Sequence, residues 1–171
     1  MYKKEKIAQI YTLYSREIFL YLCRFTGNNE TSEDLLHEVF EKFIIYTSEK
    51  TIDEKNIRAF LYKTGHNLCV NYLIKTSRIK HDNIEEFQDS LRTEDRTLEN
   101  LVLSDLNSKV YRILESMNPE SRSIFIMNKE NGMTYDEIAR MLSLSARTVR
   151  RRIREVLNQL YEELKKDGFI S

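Results

Sequence analysis

Five arginines crowd one short stretch near the end of the chain: Arg147, Arg150, Arg151, Arg152 and Arg154. A guanidinium presents a rigid fork of N–H donors that fits phosphate oxygens and the edge of guanine. Arg147, Arg150, Arg151 and Arg154 recur at spacings of three and four, which places them on one helical face, opposite Val149 and Ile153. Thr148 stands among them with a hydroxyl able to meet a base or a phosphate. No acidic residue occurs between Ile138 and Arg154. The bland alternative is a solvated basic face, the usual fate of a charge run.

Two further constellations carry chemistry. Lys63, Asn67, Asn71, Lys75 and Arg78, with His66, share a stretch that holds four Lys and Arg and no acid between Lys63 and Lys80. Cations that follow phosphates, amides that bond base edges and rings that stack are the chemistry of single-strand binding. An ordinary amphipathic helix explains the same composition, and both readings stay open at this point. Asp34, His37, Glu38 and Glu41 form an acidic stripe, either a solvated face or a dock for a basic partner surface. His37, Glu38 and Glu41 fall in HEVFE, one residue away from the zinc-protease HExxH, because Glu41 stands where the second imidazole is needed. There is no Ser/His/Asp set, no Gly-rich phosphate loop and no carboxylate cluster at metal-binding spacing, so neither enzyme activity nor a cofactor is expected.

The elements that must position these groups read as helices throughout. Four glycines and one proline punctuate 171 residues, and no strand-like alternation is evident. A first helix is predicted from about Lys4 to Phe25, on a stripe of Ile7, Ile10, Tyr11, Tyr14, Ile18, Tyr21, Leu22 and Phe25, ended by Gly27. A second begins near Ser32 and turns Leu35, Leu36, Val39, Phe40, Phe43 and Ile44 inward. Polar residues Thr47 to Asn56 read as a loop. A third helix runs from Ile57 to about Ile79, with Ile57, Phe60, Leu61, Thr64, Leu68, Tyr72 and Leu73 inside.

Residues 81 to 104 lose periodicity, gain acids and read as a linker. Leu106, Val110, Ile113, Leu114 and Met117 open the last unit, and Asn118-Pro119 starts its second helix. Thr134 and Glu137 form a capping box for a third helix carrying Ile138, Ala139 and Leu142. After a turn at Ser143 to Ser145, with Ser145 as N-cap, a fourth helix carries the arginines. Thr134 to Leu160 is thus a helix-turn-helix, a motif whose second helix can enter the major groove.

Composition agrees with this organisation. Hydrophobic residues make up 41% and charged residues 32%, with 27 basic against 27 acidic side chains. The neutral total hides a pattern: residues 1–80 balance at +3, residues 81–105 at −6 and residues 106–171 at +3. Cys23 and Cys69 lack any CxxC or histidine partner and read as buried thiols of a reducing cytoplasm. Neither a signal peptide nor a membrane-spanning run is evident, which points to a cytoplasmic protein.

The order of these features resembles the extracytoplasmic-function (ECF) sigma factors of bacterial RNA polymerase. SEDLLHEVFEKF is similar to a helix of their region two, usually Asp-Leu-x-Gln-Glu-x-Phe; Asp34, Leu35, Glu38 and Phe40 match, and His37 replaces Gln. IRAFLYKTGHNLCVNYLIK resembles the promoter-melting helix, usually Ala-x-Asn-x-x-x-Asp-Tyr-Leu; Asn67, Tyr72 and Leu73 match, with Gly65 for Ala and Asn71 for Asp. The stretch from Leu114 to Leu160 is similar to region four almost throughout, with Ser143 where Gly is common.

The resemblance implies an all-α protein of two small helical domains, region two over 1–80 and region four over 105–171, joined by a flexible acidic linker over 81–104. It implies that Asp34, His37, Glu38 and Glu41 bind core polymerase at the beta-prime clamp, with a second contact at the beta flap. Lys63, Asn67, Asn71, Lys75 and Arg78 would serve −10 recognition and melting, and the loop from Thr47 to Asn56 would hold a flipped base. Arg147, Thr148, Arg150, Arg151 and Arg154 would read the −35 element, with Arg152 on flanking phosphate. The linker would thread the polymerase's RNA-exit region, and an anti-sigma factor is an implied partner. The competing function is a helix-turn-helix regulator that binds duplex DNA without core polymerase.

Overall fold

Glycine and short polar caps decide where the helices stop and start. The computed structural model describes residues 4–80 and 98–170, with side chains over 4–76 and 106–170. Residues 81–97, most of the expected linker, lie outside the described set. Among the described residues there are seven helices and no strand. The chain divides into two units, Met1–Glu86 and Phe87–Ser171.

The first unit contains α1 (Lys4–Thr26), α2 (Asn29–Glu49) and α3 (Glu54–Lys80). Gly27 takes a left-handed φ of 69° and donates its N–H to Cys23 O at 2.8 Å, which ends α1. Asn28 then caps α2, its side chain accepting the Thr31 N–H at 2.8 Å. The Thr26 and Ser32 hydroxyls meet at 2.7 Å, so the corner satisfies its own buried polar groups. Ile18, Tyr21, Leu22, Phe25, Val39, Phe43, Leu61 and Tyr62 form the core. Burying side chains of this size stabilises by roughly 1.5–3 kcal/mol each before entropy is counted. Tyr21 and Tyr62 rings stand 5.1 Å apart, joining α1 to α3.

Three expectations for this unit need correction. The loop read as Thr47 to Asn56 shrinks to residues 50–53, because α2 continues to Glu49 and α3 starts at Glu54. Thr47 is buried and donates its hydroxyl to Phe43 O at 2.9 Å, while Ser48 donates to Ile45 O at 2.7 Å. Hydroxyls that bond back to carbonyls of the preceding turn are satisfied within the helix, so their polarity does not require a loop. Ile44, expected inside, is 44% exposed. His66, grouped by sequence with the polar Lys and Asn residues of α3, is only 8% exposed. The buried arc of α3 runs instead through Ile57, Leu61, Tyr62, Gly65, His66 and Cys69, leaving Leu68, Tyr72 and Leu73 half-buried.

The second unit contains α4 (Leu98–Ser116), α5 (Pro119–Lys129), α6 (Tyr135–Leu142) and α7 (Ala146–Lys166). Helix α4 begins inside the stretch read as linker. The Asn118 side chain accepts N–H groups of Glu120 and Ser121 at 3.0 and 3.3 Å, with Pro119 at the first helical position. Ile113, Leu114, Ile124, Ile126, Met127, Ile138, Val149 and Ile153 are buried and hold α7 against the other three helices. Lys109 of α4 pairs with Asp167 at the end of α7, a clasp near the C-terminal side of the unit.

Candidate nucleic-acid interface

The second unit builds its interface from two capped helices. The Thr134 hydroxyl accepts the Glu137 N–H at 3.2 Å, and Glu137 Oε2 accepts the Thr134 N–H at 2.8 Å, completing the capping box of α6. Ser143 closes α6 in the left-handed region at φ 57°, the one described non-glycine residue with positive φ. The usual glycine would take this conformation without the Cβ clash that Ser143 tolerates. Leu144 N–H reaches back to Ala139 O at 2.8 Å, and the chain turns at once into the next cap. There Ser145 Oγ accepts the Thr148 N–H at 3.0 Å.

With α7 started at Ala146, its first turns carry the basic residues. Val149 and Ile153 are buried; Arg147, Arg150, Arg151 and Arg154 are exposed, so the side expected to face DNA is the free side of the helix. The five guanidinium groups are not equivalent. Arg152 is partly buried and pairs with Glu120 at the start of α5, at 2.5 Å. This bond fastens α7 to α5. Arg151 lies 3.9 Å from Glu155, one turn on. The Arg150 guanidinium sits 5.8 Å from the centre of the Tyr135 ring. Thr148 is half-exposed, and its hydroxyl already meets Ser145 Oγ at 2.8 Å.

In the first unit α3 exposes Lys63, Asn67, Asn71 and Lys75. Steps of four advance about 40° beyond a full helical turn, so this row winds about a third of the way round the helix. Arg78 lies further along α3, and its side chain is outside the described set. His66 is turned into the unit rather than joining the row. On α2, Asp34, His37 and Glu41 are exposed, and Glu38 is partly exposed beside Lys42 at 3.3 Å. Exposed Ile44 and Ile45 continue this acidic face with apolar surface, a mixture that composition alone does not reveal. Between α2 and α3 the short loop carries Asp53, whose carboxyl is held below its ordinary range by hydrogen bonds from Lys55.

The site is set on a rigid base. Glu17 of α1 accepts Arg58 Nε at 2.9 Å and the Tyr62 hydroxyl at 2.8 Å, locking the start of α3. Burial, then the bond to Glu17, pushes the Tyr62 phenol above its ordinary range. Burial likewise raises the Cys23 thiol. Among the described residues no three His, Cys, Asp or Glu side chains are grouped to hold a metal ion, and no helix is long and apolar enough to cross a membrane. Two participants escape a reading by spacing: Tyr135, which meets Arg150 across the turn, and Glu120, which claims Arg152. Both contacts join separate helices, and no local pattern announces them.

Comparisons with known proteins agree on one family. The model for sigma-70 region 2 matches residues 10–79, and that for sigma-70 region 4 matches residues 108–160. The chain is 26% identical over 154 residues to the ECF RNA polymerase sigma factor SigE of Mycolicibacterium smegmatis, across 90% of this chain and 59% of that protein. It therefore spans less than two thirds of that relative's length. Identity to the RNA polymerase sigma factor YlaC of Bacillus subtilis is 24% over 168 residues, across 98% of this chain and 94% of that one. Among solved structures, the sigma factor RpoE in complex with the anti-sigma factor NepR from Bartonella quintana aligns with a TM-score of 0.71 at 19% identity. That alignment covers 94% of this chain and 98% of the other, and shows likeness of fold.

Proposed function

The chain belongs to the ECF group of the sigma-70 family, non-enzymatic factors that direct RNA polymerase to promoters, and we propose that it divides this task between its two units. In this reading residues 1–80 bind core polymerase and the −10 element, residues 105–171 bind the −35 element, and residues 81–104 connect them. The acidic face of Asp34, His37, Glu38 and Glu41 meets the basic beta-prime clamp, with Ile44 and Ile45 adding apolar contact. Charge complementarity of this kind sets partner and register more than raw affinity. Lys63, Asn67, Asn71, Lys75 and Arg78 follow the melted strand, and the loop at 50–53 receives an unpaired base. Unstacking that base costs a few kcal/mol, offset by the contacts it gains. Arg147, Thr148, Arg150, Arg151 and Arg154 face the −35 duplex.

One observation carries the reading: α3 exposes a row of lysines and asparagines that a duplex-only regulator leaves without a task. The helix-turn-helix alone fits either function. The beta flap and an anti-sigma factor are further proposed partners, the latter because the similar fold of RpoE is seen with NepR. The place of action is the cytoplasm, where the polymerase works.

The proposal is tested by measuring affinity for core polymerase. Replacing Glu38 and Glu41 together by Ala should weaken core binding at least several-fold while leaving helical content intact. Core affinity equal to that of the unmodified chain would remove α2 from the docking role.

A further inference from the structure

The arginines of α7 differ in what already holds them, and that difference ranks them. Arg152 gives one N–H, from Nη1, to Glu120. Arg151 has a carboxylate, Glu155, at 3.9 Å. Arg150 rests 5.8 Å from the Tyr135 ring centre, and a ring face attracts the guanidinium without taking any of its N–H groups. A side chain oriented by a π-face keeps its whole donor fork for a ligand and surrenders less rotamer freedom on binding.

Both ends of this contact are anchored. Tyr135 is the first residue of α6, directly after Thr134, whose capping box fixes the backbone there. Arg150 follows the Ser145 cap in the second turn of α7, between buried Val149 and Ile153. The ring is half-exposed and the guanidinium exposed, so the pair stands on the open side of the motif.

We infer that Tyr135 is a positioning residue for Arg150, and that Arg150 is the arginine that reads a base, a guanine in the major groove, through its O6 and N7 acceptors. Arg147 and Arg154, held by no such ring, serve phosphates. The inference rests on the proposed −35 role of this face and adds which residue discriminates and what orients it. A bidentate arginine–guanine contact discriminates by roughly 10-fold or more against other bases. A cation–π contact at an exposed site corresponds to roughly 2- to 5-fold.

The test uses the full chain reconstituted with core polymerase, initiating on a promoter library randomised across the upstream element. Arg150→Ala and Arg150→Lys should each lose the preference for guanine at one position, by about 10-fold. Tyr135→Leu should reduce that same preference by about 2- to 5-fold, and Tyr135→Phe, which keeps the ring, should retain it. Arg147→Ala and Arg154→Ala should lower initiation at all sequences alike and reduce its salt dependence. If Tyr135→Leu keeps the full preference while Arg150→Ala loses it, the positioning role of Tyr135 is overturned. A preference untouched by Arg150→Ala overturns the whole inference while leaving the proposed function in place. Absence of core-dependent initiation by the unmodified chain overturns the proposed function and the inference with it.

Discussion

Arg152 of α7 bonds Glu120 at the first turn of α5, which ties one of the five clustered arginines to a neighbouring helix. The pair is partly solvated, with side-chain exposures of 21% and 49%, so it contributes no more than about 1 kcal/mol. Arg152→Ala is therefore expected to lower the stability of the second unit by up to about 1 kcal/mol. Arg154→Ala, at an exposed position, should change it by less than about 0.5 kcal/mol. Urea unfolding of both variants checks the contrast; equal destabilisation would mean that the Glu120 bond is not what sets Arg152 apart.

Gly65 lies inside α3, at a position where the melting helix it resembles usually carries Ala. A Cβ at this position would meet Leu22 Cδ2 at 3.5 Å, Tyr21 Cε1 at 3.6 Å and Val39 Cγ2 at 3.7 Å, all ordinary contact distances. The packing thus admits a methyl group, and helical propensity favours it. Gly65→Ala should stabilise the first unit by about 1 kcal/mol, read as a higher denaturation midpoint. A fall in stability would show that Leu22, Tyr21 and Val39 crowd the site too tightly for a methyl group.

The Tyr62 phenol supplies a pH signature for the first unit. It is fully buried, donates to Glu17, and its pKa is raised by burial first and by Glu17 second. The neutral phenol is the form the fold favours. Its contribution is complete below the ordinary tyrosine value of about 10 and is lost as pH rises above it. Stability should hold up to about pH 10 and then decline. Tyr62→Phe should cost about 1 kcal/mol at neutral pH and make the alkaline decline shallower. An identical decline in both proteins would assign it to other groups.

Much of the architecture is legible because the signals are local. Thr134 with Glu137, Ser145 before α7, and Asn118-Pro119 before α5 are short-range capping patterns, and each takes the expected geometry. What escapes a sequence reading depends on neighbours. The inner arc of α3 includes Gly65, His66 and Cys69, residues that do not register as an apolar stripe, so periodicity alone puts His66 on the wrong side. Thr47 looks like loop because it is polar, yet its hydroxyl is satisfied inside α2 by Phe43 O. Ile44 looks like core on α2's helical stripe but is exposed beside the acidic face. Of the −35 set, the face is legible from spacings of three and four. The partners of Arg150 and Arg152, Tyr135 and Glu120, stand on other helices and reach them only through folding.

Whether this chain directs core polymerase to promoters is decided by run-off transcription with purified core polymerase on a promoter library. Initiation should require both the chain and core polymerase, start at defined positions downstream of paired upstream and melted elements, and weaken when Glu38 and Glu41 or Arg150 are replaced by Ala. A chain that binds duplex DNA by itself, leaves core polymerase unable to initiate from any of these promoters, and does not associate with it would be a duplex-binding regulator and not a promoter-directing subunit.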